Sequence, residues 1–110
     1  MENNQTENKE RENKNEGKKE NENVVFIGSK PLVNYIRGVI IQFIKKEAPE
    51  VTIKSRGKFI SKAVDVAEVA KRSLEEKKAY IKDVKIASES FETDGKKTNI
   101  STMDIVLALR

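Results

Sequence analysis

The apolar residues of this chain switch repeatedly between strand and helix spacing from residue 24 to residue 109, and that alternation limits the fold more than any other feature. Val24 to Ile27 form a short apolar run stopped by Gly28 and read as a buried strand. Ser29-Lys30-Pro31 reads as a helix start, with Ser29 placed to cap and proline suited to the first turn. From Leu32 the apolar residues fall at 32, 36, 39, 40, 43 and 44, a helical stripe expected to stop near Ala48, before Pro49. Val51, Ile53 and Ser55 alternate with Thr52, Lys54 and Arg56, which predicts a strand over 50–55, broken by Gly57. A second helix is expected from about 58 or 61 to 77, on a stripe of Ile60, Ala63, Val64, Ala67, Ala70 or Lys71, and Leu74. Alternation returns over about 80–91 and again over 99–109, with a turn at Asp94-Gly95 between the two strands.

The element order is therefore βαβαββ. Each helix has one apolar stripe, so the compact solution places both helices on one face of a four-stranded mixed sheet, a two-layer α+β sandwich. This domain is assigned to 24–110. Residues 1–23 have no apolar side chain beyond Met1, seven Asn, five basic and seven acidic residues. Nothing there offsets the entropy of ordering the backbone, so a disordered charged tail is expected. A core drawn from 87 residues is modest, and burial through dimerisation would add to it.

Several function classes drop out on composition. The 110 residues include no Cys and no His. That removes disulfides, thiolate metal sites, thiol catalysis and the commonest general base at neutral pH. Gly57-Lys58 is not a P-loop, because the preceding glycine and the following Ser or Thr are missing. Asp65 and Glu68 lie near Lys62 and Arg72 and read as surface ion pairs. No enzyme, metal, cofactor or small-molecule substrate is expected. No apolar run is long enough for a membrane span, and the start lacks a signal peptide's apolar stretch, so a soluble intracellular protein is expected.

Charge points to a partner. The tail carries a net −2, while residues 24–110 carry 17 basic and 11 acidic groups, a net of +6. Lys30 to Lys62 alone hold eight basic residues against Glu47 and Glu50. If the first two strands pair in parallel, the loops after both lie at one end of the sheet. Lys30, Lys54, Arg56, Lys58 and Lys62 then converge on one edge, beside helix N-termini whose free amides favour phosphate. Clustered like charges repel, which favours a polyanion over a merely solvated face. The hairpin tip at Lys96-Lys97 is a second candidate, either a groove-reaching arm or a polar turn. Tyr35 is read as packing at the core margin or lying beside Lys30. Asn34 is either an exposed helical residue or a phosphate ligand. Phe59 is the one aromatic expected to meet a partner, and Phe43 is expected in the core.

Three stretches carry a resemblance: N-V-V-F-I-G-S-K-P-L-V-N-Y-I (23–36), I-K-S-R-G-K-F-I-S-K-A-V-D-V-A-E-V (53–69) and I-S-T-M-D-I-V-L (100–107). In that order they resemble the Alba family of archaeal chromatin proteins. The resemblance implies the fold shared with the C-terminal domain of translation initiation factor three. It implies a homodimer, or a heterodimer with a paralogue, that binds double-stranded DNA and often RNA with little sequence preference, in the cytoplasm on the nucleoid. It assigns Lys30, Asn34, Tyr35, Lys54, Arg56, Lys58 and Lys62 to the nucleic-acid face, Lys96 and Lys97 to an arm toward the minor groove, and Leu74 to contact between dimers. Relatives often carry two lysines before the proline, the first open to acetylation; here that position is Ser29. The alternatives are an RNA chaperone or ribonucleoprotein subunit, and an assembly protein whose charge is incidental.

Overall fold

The computed structural model describes residues 23–110, so the tail expected over 1–23 lies, apart from Asn23, outside the described residues. The elements are β1 (Val24–Phe26), α1 (Leu32–Ile44), β2 (Glu50–Arg56), α2 (Ile60–Ser73), β3 (Ala79–Thr93) and β4 (Lys96–Leu109). The sheet order is β1-β2-β4-β3. β1 runs parallel to β2, with Phe26 opposite Lys54, and the other pairings are antiparallel. This is the α+β arrangement that the changes of period imply.

The core lies between the helices and one face of the sheet. Val39 and Phe43 of α1, and Ala63, Val66, Ala67 and Ala70 of α2, pack with Val51 and Ile53 of β2 and Ile105 and Leu107 of β4. The small residues of α2 allow close approach to the strands. Strand period then decides what faces out: Val51, Ile53 and Ser55 are buried, while Thr52, Lys54 and Arg56 look away from the helices. Ser55 is the one buried polar side chain among the described residues, and its hydroxyl donates to the Met103 carbonyl at 3.3 Å.

Local rules shift several boundaries. Pro31, not Ser29, occupies the N-cap of α1, and no side chain caps that helix. α1 ends at Ile44 rather than near Ala48, because Glu47 turns into the left-handed region (φ 54°) and folds Ala48 into the core. α2 stops at Ser73, followed by a separate 3₁₀ turn at Glu75–Lys77. Its buried stripe is rotated from the expected one: Val66 is buried and Val64 is exposed. β1 is short and lies at a sheet edge, so only Val25 and Ile27 face the core and Phe26 faces outward.

The hairpin is longer and tighter than expected. β3 and β4 pair up to Thr93 and Lys96, leaving only Asp94-Gly95 as the loop. Both loop residues have positive φ (52° and 77°), the type I′ geometry that matches strand twist. Every residue of β3 after Ile81 is exposed, so the hairpin extends past the two helices.

Gly57 shapes the turn into α2. Its φ is +57°, and a Cβ would come within 2.9 Å of Cδ1 of Ile100. Gly57→Ala should therefore lower unfolding free energy by about 1–2 kcal/mol, the cost of a left-handed L-residue. The check is a lower urea midpoint at unchanged slope; an unmoved midpoint would show that the turn does not need this conformation.

Candidate nucleic-acid interface

Parallel pairing of β1 with β2 brings the β1–α1 loop and the β2–α2 turn to the same end of the sheet. One side chain then ties them together. The Lys62 ammonium, from the first turn of α2, donates to the Gly28 carbonyl at 2.7 Å and to the Lys30 carbonyl at 2.5 Å. It also lies 5.2 Å from the Tyr35 ring centroid and 5.8 Å from that of Phe59. Tyr35 completes the lock, because its hydroxyl accepts from the Lys30 backbone N–H at 3.0 Å. Gly28 makes room for that hydroxyl; a Cβ there would approach it to 3.2 Å.

The five converging cations thus divide by task. Lys62 is occupied with loop carbonyls. Lys30 and Lys58 are exposed and make no ion pair among the described residues. Lys58 lies over Phe59, 5.4 Å from the centroid. Lys54 and Arg56 project from the helix-free face of the sheet. Lys54 pairs with Asp104 at 3.0 Å, and Arg56 with Glu89 at 3.3 Å. Both pairs remain well exposed, so each is worth only about 0–1 kcal/mol and is open to exchange with another anion. The first turns of α1 and α2 contain no acidic residue, which leaves their amide ends free of a competing carboxylate.

The remaining residues fall elsewhere. Asn34 is exposed in the first turn of α1, beside the tied loop. Tyr35 is half-buried against the core, so its packing and its place beside Lys30 are both realised. Lys96 and Lys97 sit exposed at the hairpin tip, about 20 Å beyond the Arg56 level at strand spacing. They do not join the loop cluster. Leu74 is 5% exposed and packs in the core of the protomer.

Two aromatics exchange expected roles. Phe59 is half-buried beneath Lys58 and Lys62 and packs on the core. Phe26, expected inside, is 62% exposed on the helix-free face. The signal for it was alternation within Val24-Val25-Phe26-Ile27, masked because all four residues are apolar. At the far end of the sheet, Lys82 pairs with Glu50, whose hydrogen bond and negative charge raise the lysine's pKa above its ordinary value and keep it charged.

Comparison with known proteins agrees with this architecture. The Alba family profile matches residues 23–88. The DNA/RNA-binding protein Alba of Methanothrix thermoacetophila is 48% identical over 86 residues, 78% of this chain and 94% of its own length. The DNA/RNA-binding protein Alba 1 of Archaeoglobus fulgidus is 46% identical over 88 residues, covering 79% and 96%. Among solved structures, Alba from Thermoplasma volcanium is similar at a TM-score of 0.70 and 36% identity, covering 78% of this chain and 99% of its own. ALBA1 from Trypanosoma brucei shares the fold at a TM-score of 0.61 and 18% identity, covering 80% and 69%. The chain belongs to the Alba family.

Proposed function

We propose that this protein is a non-catalytic, dimeric binder of nucleic-acid backbones that coats or bridges double-stranded DNA on the chromosome and also takes RNA. The observation that carries this reading is the Lys62 tether, which holds two cationic turns side by side at the pole where both helices begin. Among the described residues Lys30 and Lys58 make no ion pair there, and Lys54 and Arg56, held in exposed pairs open to exchange, line the adjoining face of the sheet. Asn34 and the amide end of α1 add hydrogen-bond donors. Lys96 and Lys97 give a separate basic tip with the reach to enter a groove. The relatives' names, DNA/RNA-binding protein Alba, support the same ligand class.

Dimerisation has support in uncovered apolar surface. Val84 and Ile86 lie opposite Ile105 and Met103, hence on the helix side of the sheet, yet they are 49% and 72% exposed. Val64 of α2 is exposed as well. Burying such side chains against a second copy would remove apolar area from water.

Four outcomes test the proposal. If one dimer neutralises about six phosphates, log K for unrelated duplexes should fall with log salt at a slope near −5. Lys30→Ala and Arg56→Ala should weaken binding to all these sequences by a similar factor, and each should flatten the slope by roughly one unit per phosphate lost. A sequence-dependent loss would contradict backbone recognition. Lys62→Met should behave differently: about 1–2 kcal/mol less stability and weaker binding, with the salt slope unchanged, because its charge-assisted bonds go to loop carbonyls. A flatter slope would make Lys62 a phosphate ligand. Ile86→Glu should convert the dimer to monomer in sedimentation; an intact dimer would put the interface elsewhere. Duplex DNA and structured RNA competing at equal salt would rank the two ligands.

A further inference from the structure

The helix-free face of the sheet carries a feature that backbone binding does not use. Beside the loop pole lies a cavity of about 380 Å³, lined by Phe26, Lys54, Arg56, Glu89, Thr102 and Asp104, near the small end of the ~300–1,000 Å³ range of ligand clefts. Phe26 is the most exposed Phe of the described residues, at 62%, on an edge strand that gives it no apolar neighbour across the register, only Lys54. A phenyl ring so exposed at a cavity wall offers a flat apolar surface.

The lining charge separates this place from the loop pole. Two cations, Lys54 and Arg56, face two carboxylates, Asp104 and Glu89, so the side chains sum to zero. A phosphate entering the cavity itself would have to displace both Asp104 and Glu89 from their cations. A heterocyclic base suits it. Its π-face stacks on a ring, its amino and imino hydrogens find carboxylate acceptors, and its ring nitrogens and carbonyls find Lys, Arg and Thr donors. The cavity's walls at Phe26 and Arg56 are the ends of β1 and β2, the strands that lead into the two cationic turns.

We propose that this cavity receives one unpaired base of a single-stranded nucleic acid, stacked on Phe26, with Asp104 and Glu89 facing its polar edge. The inference rests on the nucleic-acid reading above and deepens it. A base held within a duplex has no free face to present, so the site separates single strands from duplexes where the loop cations do not.

The test compares the full chain with Phe26→Leu, which keeps an apolar side chain but loses the ring, and with Phe26→Tyr, which keeps the ring. Each is titrated with single-stranded RNA and with duplex DNA at equal salt. Phe26→Leu should weaken single-strand binding about tenfold and leave duplex binding within about twofold, while Phe26→Tyr keeps both. A fluorescent purine analogue within the single strand should be quenched by the parent and by Phe26→Tyr but not by Phe26→Leu. Equal affinity and equal quenching in Phe26→Leu would overturn the pocket. A shift of Phe26→Leu to a smaller species in sedimentation would also overturn it, by making the ring a subunit contact. Lys30→Ala distinguishes the two levels. If it weakens both ligands while Phe26→Leu weakens neither, the pocket fails and backbone binding stands; if it weakens neither ligand, the backbone reading falls as well.

Discussion

The Lys62 ammonium is the contact on which the functional end of this molecule depends. The β1–α1 loop, more than 30 residues distant from it in sequence, is fastened to α2 through the Lys30 and Gly28 carbonyls. Charge-assisted bonds of this kind are roughly twice as strong as neutral ones. The Tyr35 and Phe59 rings flank the same ammonium, so its charge is satisfied from several sides at once. The consequence is a division of labour among like charges. One lysine is consumed in positioning, which leaves Lys30 and Lys58 exposed on the two turns that it joins.

Charge pairing divides the surface a second time. On the helix-free face, Lys54, Arg56 and Lys82 each have a carboxylate partner across the strands, while among the described residues the loop pole has none for Lys30 or Lys58. The exposed pairs contribute little to stability. Their larger effect is on the field: they cancel charge over the sheet and concentrate the positive excess at one end. A polyanion approaching from solvent is drawn to that end first. The hairpin carries a third region, because a two-residue turn with two positive φ values lets β3 and β4 stay paired to the tip and keeps Lys96 and Lys97 away from the body.

Much of this was legible in the sequence. Strand and helix periods fix the order of elements, and Asp94-Gly95 marks its turn because few other pairs tolerate that backbone. The convergence of the two loops follows once β1 and β2 pair in parallel. What was not legible depends on partners far along the chain. Whether Lys54 meets Asp104, or Arg56 meets Glu89, is decided by register between strands, and local pattern does not encode it. The same holds for Lys62, whose place among the converging cations does not reveal its carbonyl partners. Phe26 was misread because an all-apolar run hides its own alternation. Leu74 lies on the apolar stripe that helical spacing marks, and it is buried.

The loop pole is over-determined, and that bears on selectivity. Gly28 admits the Tyr35 hydroxyl, Tyr35 holds the Lys30 amide, Lys62 holds the carbonyls on both sides of Ser29, and Gly57 sets the facing turn at a φ that other residues resist. Such a surface changes little on binding, so less ordering entropy opposes the contact. Charges fixed in space suit a ligand whose own charges repeat at fixed intervals whatever its sequence. A rigid pole and a uniform phosphate rail are matched in this respect, and discrimination between ligands must then arise from parts of the protein that read something other than phosphate.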